Sequence, residues 1–184
     1  MGRKYVRRLF TFPFLNVSGE TIIAAYKYIG QGLELTLADY PFLAGNMGPD
    51  DHPDAKSNAV KLIYKECASS TMVQPSNFRT RIIEDEIDNG WNYKGLCLSG
   101  MPVTCLPTDL FCMAPNGDVG RQWLPVFTLQ ASFFAGGGLV LCFAFQHTLI
   151  DGASIATFLV RLIENMHKAA GGFVSHSKIY LFHE

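Results

Sequence analysis

The residues best equipped for chemistry lie together in His147-Thr148-Leu149-Ile150-Asp151-Gly152. A neutral imidazole held at the end of a strand can take a proton from a hydroxyl or amine as that group attacks an electrophile, so His147 is a candidate general base. Asp151 stands where a helix N-cap belongs. Its carboxylate can accept backbone N–H bonds or pair with an arginine, and in either way hold the loop in shape. Gly152 permits a tight turn or a close backbone approach that a side chain would block. Blander readings share these positions: a His ending an apolar strand can be a satisfied core or incidental loop residue, and an Asp before a helix can be a cap and nothing more. A metal reading is poorly supplied, since H-x-x-x-D offers two ligands and no nearby His, Cys or Glu completes the set.

A strand and a helix must position this loop. Leu139-Val140-Leu141-Cys142-Phe143-Ala144-Phe145 is a continuous apolar run entered from Gly136-Gly137-Gly138, which predicts a strand covered on both faces. Beyond the loop, Ile155, Phe158, Leu159, Leu162, Ile163 and Met166 recur at steps of three and four, so a helix with one apolar face is expected up to Gly171-Gly172. His147 therefore falls outside the carboxyl end of a strand and before a helix N-terminus, where α/β proteins tend to place ligands and reactive groups. Ahead of it, Phe127, Leu129, Ala131 and Phe133 alternate within 125–134, and the triple glycine turns that segment back as a hairpin.

These residues resemble a family. His147 to Gly152 fits the HxxxDG signature of acyl-CoA-dependent acyltransferases, a group including plant BAHD enzymes and fungal trichothecene 3-O-acetyltransferase-like proteins. The glycine-turned hairpin and the following helix are similar as well, and Tyr40-Pro41, Leu43-Ala44-Gly45 resembles the family's "yPxLaG" turn. The fungal branch is the nearer likeness. The resemblance implies that His147 deprotonates a hydroxyl or amine of a small, secondary-metabolic acceptor. It implies further that Asp151 and Gly152 support the loop, that acyl-CoA is the co-substrate and that no cofactor stays bound. Members commonly have two domains with a DFGWG-like stretch in the second, and this sequence contains none, so it resembles the N-terminal half alone. The partners implied are acyl-CoA, the acceptor, and either a second acyltransferase half or another copy of the chain. The rival reading is a truncated, non-catalytic remnant or a module that binds a partner or ligand.

Bulk properties narrow the class. A chain of 184 residues is expected to form one domain, or at most one and a small appendage, and a domain of that size buries roughly 70% of the surface its unfolded form exposes. Hydrophobic residues at 48%, charged residues at 17% and a net charge of −1 carry no electrostatic signature for nucleic acid, and they leave an apolar excess suited to a face that something covers. No segment approaches the ~18 uninterrupted apolar residues of a membrane span. The N-terminus is basic, but residues 9–15 are too short and too broken by Pro13 for a signal-peptide core. Five cysteines without C-x-x-C spacing argue against a disulfide framework or zinc knuckle and for a reducing, cytoplasmic setting; Cys142 reads as a small core residue.

Elsewhere, helical spacing from Thr21 predicts a helix to about Ala38, weakened by Gly30 and Gly32. Residues 45–57 read as a loop, and Val60, Leu62 and Tyr64 as a half-exposed strand. Residues 78–88 fit either a short helix or an exposed strand, with Glu84-Asp85-Glu86 a solvated face, and 90–120 reads as mostly loop with short extended pieces. His52, His167, His176 and His183 have no motif around them. The expected organisation is an N-terminal acyltransferase-like domain over 1–172 and a tail over 173–184. The expected fold is α/β, a mixed sheet with helices packed mainly on one face, like one half of the chloramphenicol acetyltransferase-like fold.

Overall fold

A single hairpin lies at the centre of the molecule. In the computed structural model, which describes residues 4–56, 59–65, 77–84, 92–117 and 120–171, the alternating segment and the apolar run pair antiparallel. By chain order these are β6 (Phe127–Phe134) and β7 (Leu139–Gln146). Gly137 and Gly138 turn the chain at φ of 100° and 122°, values that only glycine adopts without strain. A side chain at Gly138 would also strike the ring of Tyr93.

Two further strands complete the main sheet. β1 (Tyr5–Phe12) lies antiparallel along the whole of β7, and β4 (Phe78–Ile83) runs parallel to β6, giving the order β1-β7-β6-β4 and a mixed sheet. β1 is a strand that the sequence reading did not assign. Its arginines hide the alternation, because Arg7 and Arg8 fall on opposite faces of the strand. β4 settles residues 78–83 as strand.

Alternation gives each face of this sheet its own cover. On one face Phe127, Leu129, Phe133, Phe143 and Phe145 pack against Ile29, Leu33 and Leu37 of α1 (Gly19–Asp39) and Ile155, Phe158 and Leu162 of α4 (Gly152–Ala169). The two long helices thus share one face, as expected. α1 starts at Ser18, whose hydroxyl accepts the N–H of Thr21 at 3.3 Å. Gly32 is a contact point rather than a weakness. A Cβ there would lie 2.2 Å from Met166 Cγ and 2.9 Å from its Cα, so the missing side chain is what lets α4 approach. Asn165, buried beside it, donates to Thr36 Oγ1 at 3.1 Å, and Arg161 closes the same pair onto Asp39 at 2.6 Å.

The opposite face is covered by part of the predicted long loop. Among the described residues of 90–120 the chain forms α2 (Tyr93–Leu98), a 3-10 turn (Val103–Cys105) and α3 (Thr108–Phe111), and no strand. Asn92 caps the first of these through Gly95 N–H at 2.6 Å, while Pro102 and Pro107 precede the other two. Leu96, Leu106 and Phe111 pack there on Ile83, Phe134 and Val140, and Cys112 and Ala114 pack on Cys142 and Ala144. Cys142 is a buried core residue as read. The Cys142 thiol and Arg7 beside Cys112 draw the Cys112 pKa down to about 6, whereas the same contact and burial push the Cys142 thiol up.

A second, three-stranded sheet has the order β3-β2-β5. Its strands are β2 (Asn46–Pro49), β3 (Val60–Ile63) and β5 (Leu124–Pro125). β3 was expected. β2 lies inside the predicted 45–57 loop, disguised by Gly48 and Pro49; the glycine is required because Trp123 lies against it, leaving 2.1 Å to an added Cβ. Asp85 and Glu86, Cys67, His176, His183 and the tail at 173–184 lie outside the described residues.

Candidate active site at the His147 loop

The loop begins where β7 ends. Strand pairing delivers its first residue: the backbone N–H of His147 donates to the carbonyl of Lys4, just before β1, at 3.0 Å. The turn is closed by Leu149 N–H on the carbonyl of Gln146 at 3.0 Å, and Ile150 is buried in the main core as its anchor. His147 itself is exposed. Its Nδ1 lies 3.3 Å from the carbonyl oxygen of Ile150. A carbonyl can only accept, so this contact puts the proton of a neutral imidazole on Nδ1 and leaves Nε2 as the basic nitrogen. That face of the ring is the one a general base would use.

Asp151 is the N-cap of α4, accepting the backbone N–H of Ser154 at 2.8 Å. This bond, with one from the Ser154 side chain, holds its carboxyl below the usual carboxylate range. Among the described residues no arginine pairs with it; the arginine of α4 that forms ion pairs is Arg161, with Asp39 and Glu164. Of the two roles open to Asp151, the structure therefore supplies the cap. A Cβ at Gly152 would meet nothing within 4 Å, so no part of the described chain makes the close approach that glycine would permit.

The loop stands at the seam between the two sheets. Val126 links β5 to β6, and its N–H donates to the carbonyl of Gly45 at 2.9 Å while its carbonyl accepts the N–H of Gln146 at 2.9 Å. The Tyr40–Gly45 turn and the His147 loop, far apart in sequence, are thus held by one residue between them. Sequence reading missed Lys4, Val126 and Gln146. The available signal was Gln146 itself, a polar residue closing an otherwise apolar strand. Among the described residues no three His, Cys, Asp or Glu side chains gather as metal ligands, and no helix is long and apolar enough to cross a membrane.

Residues 5–166 match the family described as trichothecene 3-O-acetyltransferase-like N-terminal domain. Among curated relatives, acyltransferase BOA11 of Botryotinia fuckeliana is 29% identical over 149 residues, covering 77% of this chain and 28% of the relative. Acyltransferase easC of Emericella nidulans is 21% identical over 160 residues, covering 85% of this chain and 30% of the relative. The chain therefore spans under a third of the length of these relatives. Among solved structures, F. graminearum TRI101 complexed with coenzyme A and deoxynivalenol superposes with a TM-score of 0.70 at 15% identity, covering 94% of this chain and 36% of that one. F. sporotrichioides TRI101 complexed with coenzyme A and T-2 gives 0.68 at 17% identity, with 94% and 39% covered. Both share the fold described above. The match over 5–166 settles the kinship: this chain belongs to the trichothecene 3-O-acetyltransferase-like N-terminal domain family.

Proposed function

We propose that this chain contributes the proton-transfer half of an acyl-CoA-dependent acyltransferase acting on a hydroxyl of a small, secondary-metabolic acceptor. The observation that carries the reading is the His147 imidazole, exposed beyond a buried strand, with Nδ1 turned to the Ile150 carbonyl and Nε2 free to accept a proton. In the proposed reaction Nε2 takes the hydroxyl proton as the acceptor oxygen attacks the thioester carbonyl. The tetrahedral adduct then collapses, the C–S bond breaks, and the departing thiolate takes the proton back from the imidazolium, giving ester and free CoA. The open space at Gly152, one helical step beyond the loop, suits a substrate or a second half of the enzyme passing close to the backbone. Asp151 serves the chemistry indirectly, by starting α4 at a fixed place. The relatives BOA11 and easC carry acyltransferase names, and the two TRI101 proteins are complexed with coenzyme A together with T-2 or deoxynivalenol, which supports the same class here.

The test is to supply this chain with the remaining portion of BOA11, offer acetyl-CoA and a panel of small alcohols, and follow ester formation by mass spectrometry. Ester with stoichiometric release of CoA is expected. CoA release by hydrolysis alone, with no ester from any alcohol, would replace this reading with a thioesterase one.

A further inference from the structure

Gln146 immediately precedes His147 and is completely buried, although it ends a strand whose other buried residues are apolar. Burying a primary amide is unfavourable unless its hydrogen bonds are satisfied, so a buried one must hold something. Its Nε2 faces Pro125 O at 3.2 Å, Tyr5 Oη at 3.3 Å and Leu124 O at 3.4 Å. Two of these acceptors are carbonyls, so chemistry fixes which end of the amide points there. Tyr5 Oη donates in turn to Pro125 O. The backbone of Gln146 is equally committed, its N–H to Val126 and its carbonyl to Leu149 N–H in the His147 turn. One residue thus joins the edge strand β1, the short strand β5, the Val126 link and the loop itself.

We propose that Gln146, with Tyr5, is a positioning pair that fixes the imidazole of His147. Gln146 and Tyr5 touch no reacting atom. They lock the seam between the sheets, and the seam sets where the His147 backbone emerges and hence whether Nδ1 reaches Ile150 O. An aliphatic side chain would fill the same space but remove the amide donor from both β5 carbonyls, leaving Tyr5 Oη on Pro125 O alone and freeing the strand end to shift. Displacements of about 1 Å at a reacting group can lower rates by roughly 100-fold. The consequence for turnover rests on the acyl-transfer reading, whereas the effect on the imidazole does not.

The experiment therefore reads the ring directly. Nitrogen-15 NMR of His147 in the intact chain, well above the ordinary imidazole pKa range, reports which ring nitrogen carries the proton. The unsubstituted chain should show the Nδ1–H form. Gln146→Leu should give a mixture of both tautomers, and Tyr5→Phe, which removes only a hydroxyl and should fold in any case, a smaller shift the same way. Gln130→Leu is the control. Gln130 is also a fully buried amide, held by Arg79 at 2.6 Å, Leu110 O at 2.7 Å and Ser132 at 2.8 Å, but it lies mid-sheet on β6. It should leave the His147 tautomer unchanged. In the reconstituted enzyme Gln146→Leu should lower kcat roughly 10- to 100-fold with KM for both substrates nearly unchanged. An unaltered tautomer in both Gln146→Leu and Tyr5→Phe, or an equal shift in Gln130→Leu, would overturn the proposal. Altered tautomers in a chain that transfers no acyl group would sink the functional reading and leave the positioning intact.

Discussion

Asp151 and Gly152 are adjacent and exposed, yet they make different demands on their surroundings. The carboxylate of Asp151 is tied to the first turn of α4, and asparagine caps about as well as aspartate while alanine does not. Asp151→Ala should therefore lower the melting temperature at neutral pH, and Asp151→Asn should barely change it. The bonds from Ser154 hold the folded carboxyl below the ordinary range, so the folded state binds that proton less tightly than the unfolded chain does. The stabilisation is complete above the unfolded pKa and disappears as pH falls through the lower folded value. Asp39, lowered chiefly by its hydrogen bond from Arg161, behaves alike. Melting temperatures followed into acid should decline less steeply for Asp151→Ala than for the parent; identical curves would remove the cap from the account. Gly152→Ala asks the opposite question. With open space around it the variant should melt no lower than the parent, yet lose acyl transfer if substrate or a second half approaches there. His147, Asp151 and Gly152 could be singled out as candidates from sequence because they sit within six consecutive residues. Gln146 was not, because its partners Tyr5 and Pro125 are 141 and 21 residues away.

Among the elements, those legible from sequence were the ones with an unbroken period: α1, α4 and the β6–β7 hairpin. β1 and β2 were hidden, since their fit depends on partners rather than on pattern. β1 carries arginines on both faces and finds its place along β7, and β2 contains a glycine and a proline that elsewhere mark turns. Gly32 shows the same limit from inside a helix. Helix propensity alone favours Gly32→Ala by up to about 1 kcal/mol, but the added methyl meets the backbone of Met166 as well as its flexible side chain. Overpacking of a tight helix contact costs about 1–3 kcal/mol, so the variant should be destabilised overall. Urea unfolding measures this; a more stable Gly32→Ala would mean that the two helices can separate freely, and α4 would then be a poor platform for the loop it begins.

At the scale of the whole molecule, the sheet is covered on both faces, yet large apolar side chains remain outside: Leu15 is 95% exposed, Leu98 81% and Val103 74%. Ile23, Ile63 and Ile82 are exposed too. Together with a length under a third of its curated relatives, this leads to the expectation that the chain by itself binds a hydrophobic dye and self-associates, and that adding the remaining portion of a relative suppresses both. A monomer that ignores the dye would contradict it. The mixed sheet was legible from the hairpin and the resemblance. The cover on its second face was not, because α2 and α3 are too short to show a period and are set by Asn92, Pro102 and Pro107 instead.

The most direct test concerns the proton acceptor itself. His147 is exposed, so His147→Ala should change stability by no more than about 0.5 kcal/mol, leaving any loss of rate attributable to chemistry. With the rest of the enzyme supplied, single-turnover acyl transfer from acetyl-CoA is measured for the parent and the variant at equal folded concentration. The expected result is a drop of roughly 10²- to 10⁴-fold in His147→Ala, the range for one general base. Equal rates in parent and variant would mean that the imidazole takes no proton in the reaction and that His147 is only the first residue of a turn.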